Sequence, residues 1–524
     1  MLRSPSESAE TQATASARAA LLEVENSELR ARIESREQRI RLLEEALRVL
    51  KAHTYGASRE KLTVAAGQSE LFNEIEATVD LADAVGVEPE LRATPLREHK
   101  CATGKPGRQK LASYLPRVEI RHELPEAERI CGCGRVLTEI GTDISEQIDY
   151  VPAKIQVLRH LRVKYACARC EQCVKSAPLP EQILPKSNAS PGLIAYLVTS
   201  KYVDSLPLYR LEAIAQRNHV RLPRATQAAW MIALPGRLQP LMNLMDERLR
   251  ASGYVRIDET RLQVLKSDKA PSALHWMWVR VAGPPGERII LFDYDPSRGG
   301  AVADALLEGC SGYLQSDGYQ TYQGVSARAG LIHVGCFAHS RRRFFDALKA
   351  LPDAQRKAAT TAHEAVRRID ALYSIEREIK DLSNEERTRI RQLKSVPRLQ
   401  SLHEWAKRMQ RETLPSGKLG DALSYLLTQW PKLIRYIEDG RLAIDTNLAE
   451  NAIRPFALGR RNWLFADTVK GAKASAVLYS IVSTARANGL EPYAYLRQLF
   501  AELPKAKTVE QFEQLLPFST AAVN

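Results

Sequence analysis

One tract of this chain, from Gly253 to about residue 338, carries the two-residue alternation of β-strands, while the residues around it read as helix. Residues 261–266, 275–282, 288–294, 312–316 and 331–336 have the strand pattern, and a helix at about 301–308 interrupts them. From Arg341 to Gly440 the sequence is almost wholly helical and highly charged. It is helical again from Asp445 to Leu516, after an irregular piece near residues 463–470. Strands in a row, a crossover helix, more strands and then helices make a mixed α/β domain with a long helical insertion.

Three carboxylates stand out against that frame. Asp258 closes the apolar stretch Tyr254-Val255-Arg256-Ile257, and Asp317 closes Gly312-Tyr313-Leu314-Gln315-Ser316. Glu450 lies in a helical run, Asn447 to Arg454. Strand alternation turns Arg256 and Asp258 to one face and Val255 and Ile257 to the other, so Asp258 is expected to emerge at a strand end. Gly318 after Asp317 permits close backbone approach. Arg454, one helical turn beyond Glu450, shares its face and could anchor the glutamate or bind a phosphate. Two strand-end aspartates and a helical glutamate suit two Mg²⁺ (or Mn²⁺) ions about 3.5–4 Å apart, the arrangement used for phosphoryl transfer. Glu259 or Asp445 could replace a neighbour in such a set.

The chain has 524 residues and a formal net charge of +13, which calls for several domains and favours an anionic polymer as partner. Its N-terminus lacks the apolar core of a signal peptide, and no run of about 18 apolar residues occurs, so neither a leader nor a membrane span is expected. From about Ala17 to Lys51 the sequence reads as one helix. Leu22, Leu29, Leu43 and Leu50 share a heptad position broken by Arg36, and Asn26, Ile33, Ile40 and Leu47 fill its partner position. Such a seam points to a coiled coil and a homodimer or higher oligomer. Residues 63–91 hold seven acidic and no basic residues, a linker composition, and a basic arm containing Lys100, Lys105, Arg108 and Lys110 follows.

Five of eight cysteines lie between Cys131 and Cys173, which favours metal chemistry in a reducing compartment over disulfides. Cys131 and Cys133 with Cys167 and Cys170 make a four-thiolate zinc ligand set, with Cys173 a possible substitute because the first pair is one residue short of C-x-x-C. Between the pairs, Lys154, Arg159, His160, Arg162 and Lys164 form a basic stripe suited to phosphates. Residues 208–217 and 223–230 read as a helix–turn–helix. Asn218 is the expected left-handed turn residue, and Arg224, Thr226 and Gln227 sit where base edges are read.

The chain resembles the transposases of the IS66 insertion-sequence family. The residues that carry the resemblance are Ile257-Asp258-Glu259-Thr260, Ser316-Asp317-Gly318-Tyr319, Gly335 to Phe344, and a long stretch from Asn447 to Leu496. That stretch contains Gly459-Arg460-Arg461-Asn462-Trp463-Leu464-Phe465. The heptad helix, the cysteine module and Lys201 to Arg210 match as well. The resemblance implies an RNase H-like fold with an Asp-Asp-Glu triad, onto which Asp258, Asp317 and Glu450 fall. It also implies binding of terminal inverted repeats, DNA cleavage and strand transfer, and small accessory proteins from the same element. A bacterial, cytoplasmic protein on the nucleoid is expected. Cys336-x-x-His339 matches a motif of several such families. With only two ligands evident, it is read as packing at a strand–helix junction rather than as a metal site. Arg341 and Arg342, within the basic cluster that ends at Arg343, are candidate phosphate contacts. Asn218 stands where the family commonly has glycine.

The expected domains are a 1–16 tail, a 17–62 coiled-coil helix, a 63–110 linker and arm, and a 111–180 zinc module. A 190–250 helical DNA-binding block, a 251–475 catalytic domain with insertion 341–440, and a 476–520 helical end complete them. Rival readings are a non-catalytic dimeric repressor from a decayed element and a two-metal nuclease that hydrolyses without joining.

Overall fold

The computed structural model describes residues 26–48 except 31 and 46, 155–166, 174–352 except 329, and 360–518. The chain divides into two compact units, residues 87–159 and the remainder. Of the first, only residues 155–159 are described, exposed and without regular structure. Cys131, Cys133, Cys167, Cys170, Cys173 and Lys154 lie outside the described residues, as do the acidic linker and the basic arm.

In the larger unit, two short antiparallel strands, β1 (Lys164–Ala166) and β2 (Val174–Ser176), flank the segment that holds Cys167, Cys170 and Cys173. Helices α1 (Pro191–Tyr202), α2 (Leu208–Arg217) and α3 (Arg224–Ala251) follow. Then come β3 (Tyr254–Lys266), β4 (Leu274–Ala282), β5 (Ile289–Asp295), α4 (Gly300–Leu307), β6 (Tyr313–Gln315), α5 (Gln320–Arg328) and β7 (Ile332–Val334). The sheet order is β5-β4-β3-β6-β7. β3, β4 and β5 pair antiparallel, while β6 and β7 run parallel to β3, as the crossover helix α4 between β5 and β6 requires. β3 is a single strand of 13 residues rather than two pieces. A strand absent from the sequence reading, β8 (Ala466–Thr468), pairs with its far end where an irregular piece was expected.

The insertion starts with α6 (Phe337–Ala350) and continues through α7 (Thr361–Glu378), α8 (Asn384–Ile390), α9 (Val396–Glu412) and α10 (Lys418–Leu433). Its apolar residues, among them Phe344, Ile369, Leu372, Leu402, Leu423, Leu426 and Tyr436, form a second core that also takes in Tyr254 of β3 and Val334 of β7. At its return, the fully buried Arg391 pairs with Glu376 and donates to the carbonyls of Tyr436, Asp439 and Leu442. Each guanidinium donor thereby gains a partner, without which a buried charge is strongly destabilising.

The chain then re-enters the first core through α11 (Asn447–Trp463), α12 (Val469–Ala487), α13 (Pro492–Glu502) and α14 (Val509–Gln514). α12 covers the edge strand β5 by direct hydrogen bonds. Thr484 Oγ1 and Ser480 Oγ accept from the N–H groups of Ile290 and Phe292, and Asn488 bonds both backbone groups of Arg288. Four residues of helix rise about 6 Å and two residues of strand about 6.7 Å, so a polar residue every fourth helix position meets every second strand position.

His333 on β7 is buried against Ser316 Oγ, 2.8 Å from its Nε2. Burial, with help from Lys432 and Arg435, pushes its imidazole down to about 3. The folded state therefore holds the neutral ring, and the unfolded chain takes up a proton first, near pH 6.5. This contribution to stability is complete above about pH 6.5 and is lost as pH falls toward 3. Urea midpoints should fall across that window, by up to about 1.4 kcal/mol per pH unit from this one group. In His333→Gln the slope should flatten; an unchanged slope would assign the titration elsewhere.

Candidate active site

The parallel ladders that join β3, β6 and β7 end in register. Arg256 on β3 pairs with Gln315 on β6, and Gln315 pairs with Val334 on β7. Two residues further along the chain stand Asp258, still within β3, and Asp317 and Cys336, just beyond β6 and β7. Neighbouring strands lie about 4.8 Å apart, so the row brings Asp258 beside Asp317, and Asp317 beside Cys336. Asp258 is not at a strand end as expected. β3 runs eight residues past it because β4 and then β8 continue the pairing, and only the parallel ladder stops.

Both aspartates are half-buried. Asp317 Oδ1 accepts from Tyr319 N (3.0 Å) and Asp258 Oδ1 from Glu259 N (2.9 Å). Their charges reach a common neighbour: the Tyr322 phenol is raised well above its usual range by burial and by Glu259, Asp258 and Asp317. Glu259 points elsewhere and is already satisfied, with Arg298 at 2.6 Å and the Tyr322 hydroxyl donating to it. Burial nonetheless raises its carboxyl, and Asp317 adds to the effect.

Glu450 sits in the first turn of α11, where Thr446 Oγ1 donates to its Oε1 (3.1 Å). His339 Nδ1 lies 3.7 Å from Oε1 and Arg342 3.9 Å from Oε2. Both basic side chains come from α6, whereas the sequence pointed to Arg454 as the anchor. Arg454 is half-buried. Arg341 is not a phosphate contact: it is buried, grips Asp370 (2.7 and 3.3 Å) and lies over the Phe345 ring. Its position on α6, one residue before Arg342, turns it inward.

Cys336 is buried and accepts from both Thr446 N and Thr446 Oγ1 at 3.3 Å. Burial pushes its thiol up to about 12, and the charges of Glu450 and Asp445 add to this. Asp445, the other alternative ligand, is buried and is held by Asn447 through N (3.1 Å) and Nδ2 (2.9 Å).

Sequence reasoning missed the knot of hydrogen bonds beneath this row. Tyr254 Oη donates to Gln315 Oε1 and accepts from Ala443 N (3.1 Å). Gln315 Nε2 donates to the carbonyls of Gly335 (3.2 Å) and Ala443 (2.8 Å). The available signal was a glutamine directly after Tyr313-Leu314 in a strand pattern; Gln315 ends β6 and is wholly buried, so its amide needs partners. From the insertion, Tyr425 lies against Gly318, where any Cβ would collide with its ring.

The proposed DNA-reading residues divide. Arg224 is exposed and Thr226 half-buried at the start of α3. Gln227 is fully buried and donates to Leu222 O (2.9 Å), so it secures the turn and cannot reach a base edge. The left-handed residue of the turn is His219 (φ 57°), not Asn218, which instead bonds Ile214 O at 3.0 Å. Arg159, Arg162 and Lys164 are exposed, and Arg162 donates to Ala177 O.

Residues 186–474 match the family described as Transposase IS66. The chain belongs to the IS66 transposase family. Residues 128–171 match its zinc-finger binding domain, a span that takes in Cys131, Cys133, Cys167 and Cys170 but ends before Cys173. Residues 480–518 match the IS66 C-terminal element, and residues 42–120 the domain described as Transposase C of IS166 homeodomain. Among similar proteins of Sinorhizobium fredii (strain NBRC 101917 / NGR234), the uncharacterized protein y4qI is 31% identical over 98% of this chain and 95% of its own length. The uncharacterized protein y4jD is 31% identical over 79% of this chain and 82% of its own. This IS66 transposase is thus a DNA-binding protein with a zinc-finger domain. No helix among its described residues is long and apolar enough to cross a membrane.

Removing the Tyr254 hydroxyl should disturb Gln315 and Ala443 together. Tyr254→Phe is expected to cost about 1–3 kcal/mol in chemical unfolding and to lower DNA cleavage more than DNA binding. Equal losses in both would show that the knot does not act on the site.

Proposed function

We propose that the chain is an RNase H-like, Asp-Asp-Glu DNA transposase that cuts the ends of its own element and joins them to target DNA. The observation that carries this reading is the register that pairs Arg256 with Gln315, two residues before Asp258 and Asp317, together with Glu450 in the first turn of α11, a helix that packs on β3. Three antiparallel strands followed by two parallel ones, with the first strand central, support the RNase H-like assignment.

The donors are all hard carboxylate oxygens, and the charges of Asp258 and Asp317 add to burial and Glu259 in raising Tyr322. They fit Mg²⁺ or Mn²⁺, which when bound would polarise the scissile phosphoryl group and neutralise the developing charge. Asp258 and Asp317 would hold the ions, with Glu450 completing the set. Arg342, beside Glu450, is placed to meet a phosphate once the glutamate turns to a cation. Water attacks the phosphodiester at the element end and frees a 3′-hydroxyl. That hydroxyl attacks a target phosphodiester in a second in-line displacement, with no covalent enzyme intermediate. Arg224, Thr226, Arg159, Arg162, Lys164 and Lys154 would hold the inverted repeats, together with zinc held by Cys131, Cys133, Cys167 and Cys170.

Asp258→Asn, Asp317→Asn and Glu450→Gln should each lower Mg²⁺-dependent nicking of element ends by about a hundredfold or more, with thermal midpoint and end binding retained. Normal cleavage in any one of them removes that residue from the site.

The N-terminal helix supports assembly of two protomers. Leu29, Ile33, Ile40, Leu43 and Leu47 are all about half exposed or more. The helix meets the insertion through Glu45, which accepts from Lys418 N, and Arg48, which donates to Ala350 O. Both residues fall outside the heptad seam, on the opposite side of the helix. A second copy covering the seam would bring two ends together. Light scattering should give a dimer or larger for the native chain and a monomer for the Ile33→Asp, Ile40→Asp double variant; an unchanged mass would refute this route of assembly.

A further inference from the structure

The third carboxylate has a second set of neighbours. Single ligand atoms of Cys336, His339 and Glu450 all lie within 4.8 Å of one another. A tetrahedral zinc ion with bonds of about 2.0–2.3 Å sets its ligand atoms about 3.3–3.7 Å apart. The His339 Nδ1–Glu450 Oε1 separation, 3.7 Å, is already at that spacing. His339 Nδ1 is buried and has no hydrogen-bond partner, so a ring nitrogen faces the gap unsatisfied. Cys336 Sγ receives two bonds from Thr446, and Thr446 Oγ1 also reaches Glu450 Oε1, so one residue behind the site orients two of the three ligands. Arg342 approaches the other oxygen, Oε2, and leaves Oε1 to the gap.

We propose that Cys336, His339 and Glu450 form a zinc site that competes with catalysis: Zn²⁺ bound there holds Glu450 away from the Asp258–Asp317 pair and arrests the enzyme. Sulfur and imidazole ligands select Zn²⁺ over Mg²⁺, whereas the aspartate pair favours Mg²⁺. Three protein ligands leave the fourth position to water, as in an open zinc site. Ligation displaces the thiol proton to solvent, and no other bond changes. The inhibitory consequence rests on the catalytic role of Glu450; the binding of zinc does not.

The test uses the full-length chain and its Cys336→Ser and His339→Gln variants, equilibrated with buffered Zn²⁺ and counted for metal per chain by mass spectrometry. The native protein should hold one zinc more than either variant, the zinc-finger metal being common to all three. In Mg²⁺-dependent cleavage, the Zn²⁺ concentration for half-inhibition, taken relative to each protein's own uninhibited rate, should rise at least about tenfold in the variants. Equal zinc content in all three folded proteins overturns the proposal. Extra zinc in the native chain with no cleavage under any condition upholds the site and refutes the Asp-Asp-Glu reading instead.

Discussion

Every acid-bearing segment of this transposase is tied to a single buried pair, Tyr254 and Gln315. The pair joins β3 four residues before Asp258, β6 two residues before Asp317, and the end of β7 just before Cys336. It also joins the chain at Ala443, just ahead of the helix that carries Glu450. All four places are distant in sequence. A buried amide with unmet donors costs about 1–3 kcal/mol, so Gln315 is satisfied only when all of these segments are home. Folding of the sheet and assembly of the site are therefore one event, and the acids cannot drift separately.

The insertion takes part in that event. Its core is shared with Tyr254 and Val334 of the sheet, and its return is clamped by Arg391 to the carbonyls of Tyr436, Asp439 and Leu442, the last of these next to Ala443. Its first helix, α6, supplies His339 and Arg342 to Glu450, and α10 lays Tyr425 over Gly318. Burial raises the Tyr425 phenol, and the charge of Asp317 adds to this. The long excursion between Asp317 and Glu450 thus builds one wall of the site.

Much of this was legible in the sequence where a residue type has few alternatives. The local settings of Asp258, Asp317 and Glu450 singled out the carboxylates on which the proposed site rests, and the helical insertion was plain from composition. What failed to show was the direction of side chains that depend on tertiary partners. Arg341 and Arg342 are adjacent and chemically identical, but helix rotation buries one against Asp370 and leaves the other at Glu450. Gln227 looked like a base reader because it is polar and near a helix start, yet the turn before it needed a donor for Leu222 O. β8 has three residues and pairs only with the overhanging end of β3, so no local pattern could announce it.

The Ser480–Thr484–Asn488 ladder explains how an alanine-rich helix can serve a sheet edge. Edge strands expose a row of backbone groups that invites pairing with another chain. Here alternate groups of β5 are taken by side chains one helical turn apart, so the edge is closed without a further strand. The expected domain boundary at residues 475 and 476 falls within this helix, and its removal would leave β5 open. The C-terminal helices therefore belong to the sheet's architecture. On the other side of the sheet, the Gly335 N to Lys432 O bond ties the chain just after β7 to the insertion, and the parallel ladder stops at Arg256 and Gln315, two residues before Asp258 and Asp317.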